Sequence, residues 1–156
     1  MVTKTETFHY IIDASSILSQ KDSEPYRRKI HQTLWNNIDQ LIKEKRIVTC
    51  SEIFEEVQDD ELKKWYKNLE GEILPINDAI QEKVKYVVTS NPQLVDFKAR
   101  KSSGDPFLIA TALQYNLTII TEESPKSSKK IPAVCNNLDI PCINLLGLCE
   151  KENWKF

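Results

Sequence analysis

The chain has 156 residues, 40% of them apolar and 28% charged, the composition of an ordinary globular domain with room for one core. A formal net charge of −2 excludes a globally basic nucleic-acid binder, and no apolar run approaches the roughly 20 residues that span a bilayer. Met1 to Glu6 is polar and lacks a signal-peptide core, so a single cytoplasmic domain over residues 1–156 is expected.

In chain order, residues 7–13 read as a short apolar strand ending on Asp13, and Ala14 to Ser19 as the start of a helix. From Pro25 to Lys45, Ile30, Leu34, Trp35, Ile38, Leu41 and Ile42 recur at helical spacing, with Pro25 suited to the first turn. Arg46 to Cys50 is a β-like run. Ser51 is placed as the N-cap of a helix from Glu52 towards Leu69, with Ile53, Phe54, Val57, Leu62, Trp65 and Tyr66 on its apolar face and Gly71 at its end. A strand over Glu72 to Ile76 and a helix over Asn77 to Ser90 follow. Pro92 opens a short helix burying Leu94, Val95 and Phe97. Asp105 to Tyr115 is a helix with Asp105 at the N-cap and Pro106 at N1. Leu117 to Thr121 is a strand. Ile140 to Asn144 is an edge strand, because Pro141 interrupts it, and Leu145 to Lys151 is a last helix. This alternation predicts an α/β three-layer sandwich, a mostly parallel central sheet with helices on both faces.

Three greasy runs or helix starts end or begin on carboxylates: Tyr10-Ile11-Ile12-Asp13, Gly104-Asp105-Pro106-Phe107-Leu108-Ile109-Ala110, and Ile119-Ile120-Thr121-Glu122-Glu123. A fourth acidic group sits in Glu52-Ile53-Phe54-Glu55-Glu56-Val57. Strands of a parallel sheet that close on acids deliver them to one edge, where ligands of open α/β sheets bind. Taken singly, each acid has an ordinary role. Asp105 before a proline caps a helix, Glu122 and Glu123 before Pro125 suit a loop, and Glu52, Glu55 and Glu56 suit a solvated face. Asp13 is harder to place that way, because an ionised carboxylate at a buried strand end needs a partner. Together the acids make a candidate site for a hard divalent cation.

Cys50, Cys135, Cys142 and Cys149 form no C-x-x-C pair, and with only His9 and His31 beside them they read as reduced, buried small hydrophobes. Trp35, Trp65 and Tyr66 fall on apolar helix faces and read as packing residues, whereas Tyr26, before Arg27, Arg28 and Lys29, reads as surface. Two basic clusters, Lys98, Arg100 and Lys101 and then Lys126, Lys129 and Lys130, flank the acids in Ser-rich segments. They suit solvated loops or, beside bound metal, contacts to RNA.

The order and wording of these segments resemble the PIN-domain nucleases, including the toxins of toxin–antitoxin pairs, over nearly the whole chain. Ile11-Ile12-Asp13-Ala14-Ser15 is similar to their first motif, and Ile53-Phe54-Glu55-Glu56-Val57 to the second, selecting Glu56. Asp105-Pro106-Phe107-Leu108-Ile109-Ala110-Thr111-Ala112 is similar to the third, an Asp opening a helix of the form D-x-x-I-A-x-A. Ile119-Ile120-Thr121-Glu122-Glu123 resembles the fourth, with Glu123 where Asp is commoner and Glu122 in a slot that many members fill with a neutral or basic residue. Lys130-Ile131-Pro132-Ala133-Val134-Cys135 and Ile140-Pro141-Cys142-Ile143-Asn144 resemble the ending of a closer subgroup of PIN-like proteins.

The resemblance implies a metal-dependent endoribonuclease acting on single-stranded RNA, plausible as the toxin of a toxin–antitoxin pair. Asp13, Glu56, Asp105 and Glu123 would be its catalytic Mg²⁺ or Mn²⁺ ligands, and Ser15 and Thr121 would orient them. RNA, a cognate antitoxin and a second copy of the chain are the implied partners. The alternative is a PIN-fold binding module with little or no catalysis. A phosphatase built on Asp13 is disfavoured, because Ser15 stands where a D-x-D pattern needs its second acid.

Overall fold

A computed structural model describes residues 7–92, 104–124 and 131–156. Five strands form one sheet: β1 (Tyr10–Ile12), β2 (Ile47–Cys50), β3 (Ile73–Leu74), β4 (Thr118–Ile120) and β5 (Cys142–Ile143). Their order is β3-β2-β1-β4-β5 and every pairing is parallel. Every residue of β1, β2 and β4 is buried. Successive strand residues point to opposite faces, so burial of all of them requires cover on both sides. Helices provide it, and the fold is an α/β three-layer sandwich.

The eight helices of the described residues are α1 (Ala14–Leu18), α2 (Gln32–Lys43), α3 (Ser51–Glu56), α4 (Asp60–Asn68), α5 (Asp78–Ser90), α6 (Asp105–Tyr115), α7 (Ile131–Asn137) and α8 (Leu145–Lys151). Helix α6 carries no charge after Asp105 and buries Leu108, Ile109, Ala110, Thr111 and Ala112. An apolar stretch on nearly all sides needs enclosure, and α5 packs along one side of it while the sheet takes the other. No helix of the described residues is long and apolar enough to cross a membrane.

Several boundaries differ from the pattern of the sequence. Helix α2 begins at Gln32, not Pro25, and Ile30 is 65% exposed. Residues 19–31 instead fold as turns, held by a polar clamp. The guanidinium of Arg28 donates from Nη1 and Nη2 to Asp39 at 3.0 and 2.9 Å, and lies over the rings of Trp35 and Trp65. Trp65 Nε1 donates to Asp39 at 2.8 Å, and Trp35 Nε1 to the Tyr26 carbonyl at 2.6 Å. Trp35 and Tyr66 are core residues as their spacing implies, with Trp65 partly buried against them. Tyr26 is not a free surface ring; it too packs partly buried against the core.

The expected helix 52–69 is broken. Val57 turns to an extended conformation, and the Asp59 side chain accepts the Leu62 N–H at 3.1 Å, starting α4 afresh. Ser51 lies inside α3, whose N-cap position is Cys50. Glu70, with φ of 57°, takes the left-handed turn after α4. Gly71 is needed for close approach, since a Cβ there would stand 2.3 Å from the Tyr66 ring and only glycine lets the chain pass. Gly104 rather than Asp105 occupies the N-cap of α6, moving Asp105 to its first residue. Helix α7, which the sequence pattern did not separate from its loop, buries Ile131, Val134 and Cys135. The expected short helix after Pro92, with Leu94, Val95 and Phe97, lies outside the described residues.

The clamp on Asp39 yields a test. Asp39→Ala leaves the Arg28 guanidinium and the Trp65 N–H without their acceptor in a partly buried setting. Urea denaturation should then show a loss of about 1–2 kcal/mol. An unchanged midpoint would mean that solvent replaces the carboxylate at no cost.

Candidate metal centre

Strands β1 and β4 lie side by side with Ile12 opposite Ile120, and the chain runs outward from them in opposite directions across the sheet. Such a reversal opens a crevice at the C-terminal ends of the two strands. Asp13 leaves β1 at that point, its N–H donating to the Ile120 carbonyl at 2.9 Å. It occupies the N-cap position of α1, yet its side chain caps nothing there.

Two hydroxyls hold the Asp13 carboxylate instead. Ser15 Oγ donates to Oδ2 at 2.7 Å and Thr121 Oγ1 donates to the same oxygen at 2.9 Å. Backbone N–H groups fill the acceptor side of each hydroxyl, Glu122 on Ser15 at 3.1 Å and Glu123 on Thr121 at 3.2 Å. A hydroxyl has one proton to give. With both protons directed to Asp13, the 3.2 Å approach of Ser15 Oγ to Thr121 Oγ1 carries none. The turn after β4 thus fixes the rotamers of both hydroxyls, and they fix the carboxylate, which is 3% exposed.

Glu56 is the last residue of α3, and its Oε1 accepts the backbone N–H of Gly104. A Cβ on Gly104 would lie 2.9 Å from Glu56 Oε1 and 2.9 Å from Ile53 Cδ1, so the glycine permits the approach. Burial foremost pushes the Glu56 carboxyl up. The Gly104 N–H works against that shift, while the charges of Asp13, Glu123 and Glu52 add to it. Asp105 follows Gly104 directly. One carboxylate oxygen from each of Asp13, Glu56 and Asp105 lies within 4.8 Å of the others, an arrangement that could hold a metal ion. An all-oxygen set of this kind is the ligand chemistry of a hard divalent cation.

The two glutamates after β4 are placed otherwise. Glu123 Oε1 accepts the N–H of Ile131, the first residue of α7, at 3.0 Å, and Glu123 lies outside the three-acid group. Glu122 Oε1 accepts the N–H of Leu145, the first residue of α8, at 2.7 Å, and burial pushes its carboxyl up. Each acid fastens the start of a later helix to the end of β4. Glu122 is therefore a helix-holding residue, where the sequence pattern suited an ordinary loop acid. Gly104 is the contributor that sequence reasoning passed over. Its signal was a glycine directly before the D-P helix start, at a place that needs close approach rather than a left-handed φ. Lys98, Arg100, Lys101, Lys126, Lys129 and Lys130 lie outside the described residues.

Residues 10–156 match the family described as "Domain of unknown function (DUF4411)". No curated protein matches the chain. Among solved structures, the crystal structure of PAE2754 from Pyrobaculum aerophilum is similar, with a TM-score of 0.55 and 12% identity over 96% of this chain and 92% of that one. At such identity the likeness concerns the fold.

Two substitutions test the architecture. Gly104→Ala should drive the Glu56 carboxylate away and weaken Mn²⁺ binding roughly 10–100-fold by calorimetry. Affinity that survives this change would remove Glu56 from the ligand set. Ser15→Ala combined with Thr121→Val should lower Mn²⁺ affinity by a similar factor, about tenfold or more, with the circular dichroism spectrum unchanged.

Proposed function

This chain belongs to the DUF4411 family, and we propose that it is a metal-dependent endoribonuclease that hydrolyses phosphodiester bonds of single-stranded RNA. The observation that carries the reading is the convergence of Asp13, Glu56 and Asp105, from three separate segments, on one point at the reversal of a parallel sheet. The order of acidic motifs that resembles PIN-domain nucleases supports the same chemistry. Mg²⁺ or Mn²⁺ is the cation that an all-carboxylate set fits, since hard cations take oxygen ligands. When bound, the cation supplies Lewis acidity to water and phosphate and offsets charge on the leaving oxygen.

The chain's own groups do the positioning. Ser15 and Thr121 hold one oxygen of Asp13, so its carboxylate cannot rotate away as substrate arrives. Gly104 holds Glu56 in the same manner. Asp105 enters from the first turn of α6, where a carboxylate is favoured by the helix dipole. Glu123 remains the fourth metal ligand of the proposal, while its Oε1 holds the start of α7. A toxin role, with a cognate antitoxin protein as partner, follows from the resemblance.

The second reading is a binding module without catalysis, favoured by the commitment of Glu123 to α7. Purified protein given Mn²⁺ or Mg²⁺ should cleave single-stranded RNA. Asp13→Asn and Asp105→Asn should each reduce cleavage by roughly 10³-fold or more, the scale on which loss of charge stabilisation is felt. Undiminished cleavage in either variant would sink the assigned site, and absence of any Mn²⁺ uptake would favour the binding module.

A further inference from the structure

All four cysteines are free thiols, and two of them meet. Cys135 is fully buried in α7, and Cys142 opens β5, the strand against which α7 packs. Their thiols are hydrogen-bonded to one another. The chain between them is short and fixed. The Cys135 carbonyl accepts the Leu138 N–H at 3.1 Å and the Ile140 N–H at 2.9 Å, and Asp139 takes a left-handed turn with φ of 56°. On either side of Cys142, the Pro141 carbonyl accepts the Ile119 N–H and the Ile143 carbonyl accepts the Thr121 N–H, each at 2.9 Å. Backbone on both sides therefore holds the two sulfurs together.

The two thiols differ in access. Cys142 lines a hollow of about 320 Å³, whose other walls include Thr121, Glu123, Pro132 and Asn144. Cys135 is closed off behind it. Redox-sensing cysteines combine these features, an accessible thiol and a second thiol beside it that resolves the first product. The hollow also reaches the acid cluster. Thr121 is a hydroxyl on Asp13, and Glu123 Oε1 holds the first N–H of α7, the helix that carries Cys135.

We propose that Cys142 and Cys135 are a dithiol modification site for a low-molecular-weight disulfide, and that bridging them shifts α7 against its Glu123 anchor. The Cys142 thiolate, reached through the hollow, attacks one sulfur of the small disulfide. The S–S bond of that molecule breaks, and its other half leaves as a thiolate that takes up a proton. Cys135 then gives up its proton and attacks the Cys142 sulfur of the mixed disulfide, releasing the second small thiol. Two protein thiols lose two electrons, the small disulfide gains them, and both protons end on the released thiols. Covalently bonded sulfurs are closer than hydrogen-bonded ones, so α7 and β5 draw together at this point. β5 is paired in the sheet, which leaves α7 to take up the shift. From Ile131 three hydrogen bonds lead through Glu123 and Thr121 to Asp13. The bridge itself stands apart from the nuclease reading; its effect on a cation rests on the metal reading of the acids.

The test treats the purified protein with glutathione disulfide, blocks remaining thiols with iodoacetamide and maps the products by mass spectrometry. The wild type should carry a Cys135–Cys142 bridge and no bound glutathione. Cys135→Ala should stop at the first stage, with one glutathione on Cys142, while Cys142→Ala should leave Cys135 unreacted. Circular dichroism checks that both variants fold; if the buried Cys135→Ala does not, the wild type and Cys142→Ala decide. On oxidation the Ile131 amide signal should move in an NMR spectrum, and Mn²⁺ affinity by calorimetry should fall about tenfold or more. Dithiothreitol should reverse both changes, and Cys142→Ala should show neither.

A wild type that forms no bridge, or that carries glutathione on Cys50 or Cys149 instead, would overturn the proposal. A bridge that leaves the Ile131 signal in place would overturn the shift of α7, and one that moves it at constant Mn²⁺ affinity would overturn the link to the acids. A reduced protein that takes up no Mn²⁺, yet forms the bridge and moves Ile131, would reject the metal reading and keep the dithiol site.

Discussion

Three carboxylates held within 4.8 Å of one another are the constraint on which the rest of this edge of the molecule depends. At that spacing, with an effective dielectric near 20, each ionised pair repels by about 3–4 kcal/mol. Hydrogen bonds to a charged group return roughly 1.5–3 kcal/mol each. Two hydroxyls hold Asp13 and one backbone N–H holds Glu56, and these donors offset part of that repulsion. A bound cation would offset more of it. That balance makes a cation site the physically economical reading of a cluster whose members, taken one by one, look ordinary.

The fold supplies the cluster through backbone, not through side-chain recruitment. Parallel strands β1 and β4 end level with each other, so Asp13 and Thr121 are adjacent whatever their side chains are. The turn after β4 then has several roles within three residues. Thr121 orients Asp13, the N–H groups of Glu122 and Glu123 orient the two hydroxyls, and the glutamate side chains hold the first residues of α8 and α7. Helices α7 and α8 are thereby tied to the geometry of the acid cluster. A change in either helix position would reach Asp13 through three hydrogen bonds in series.

The elements legible in the sequence are those where one signal dominates. Tyr10-Ile11-Ile12 and Thr118-Ile119-Ile120 are runs too apolar to face water, and α6 is apolar on nearly all sides, so strand, strand and buried helix follow. The start of α2 was not legible, because the clamp among Arg28, Asp39, Trp35 and Trp65 joins residues far apart in sequence and overrides the helical spacing that includes Ile30. The break at Val57 was hidden because Ile53, Phe54, Val57, Leu62 and Tyr66 keep a helical period across it; only the Asp59 cap marks it. Helix α7 offers one turn of periodicity with Pro132 inside it, too little to separate it from a loop. For the site, Asp13, Glu56 and Asp105 could be picked out by the resemblance. The partners of Glu122 and Glu123 could not, since a helix N-terminus far along the chain leaves no mark beside the acid that holds it.

Glu56 shows why the same residue reads differently with and without a cation. Its carboxyl is raised by burial first and by neighbouring negative charge after that. An acid raised in the folded state stabilises the fold most when protonated. That contribution is complete below the ordinary glutamate value and is lost as pH rises through the raised one. A cation reverses the preference, because only the ionised carboxylate is a ligand. The Gly104 N–H favours the ionised form too, from a residue whose side chain would have crowded Glu56 and that immediately precedes Asp105. The backbone therefore stabilises the charged state that burial opposes. A cation shared by the three acids would add to that stabilisation of the ionised Glu56.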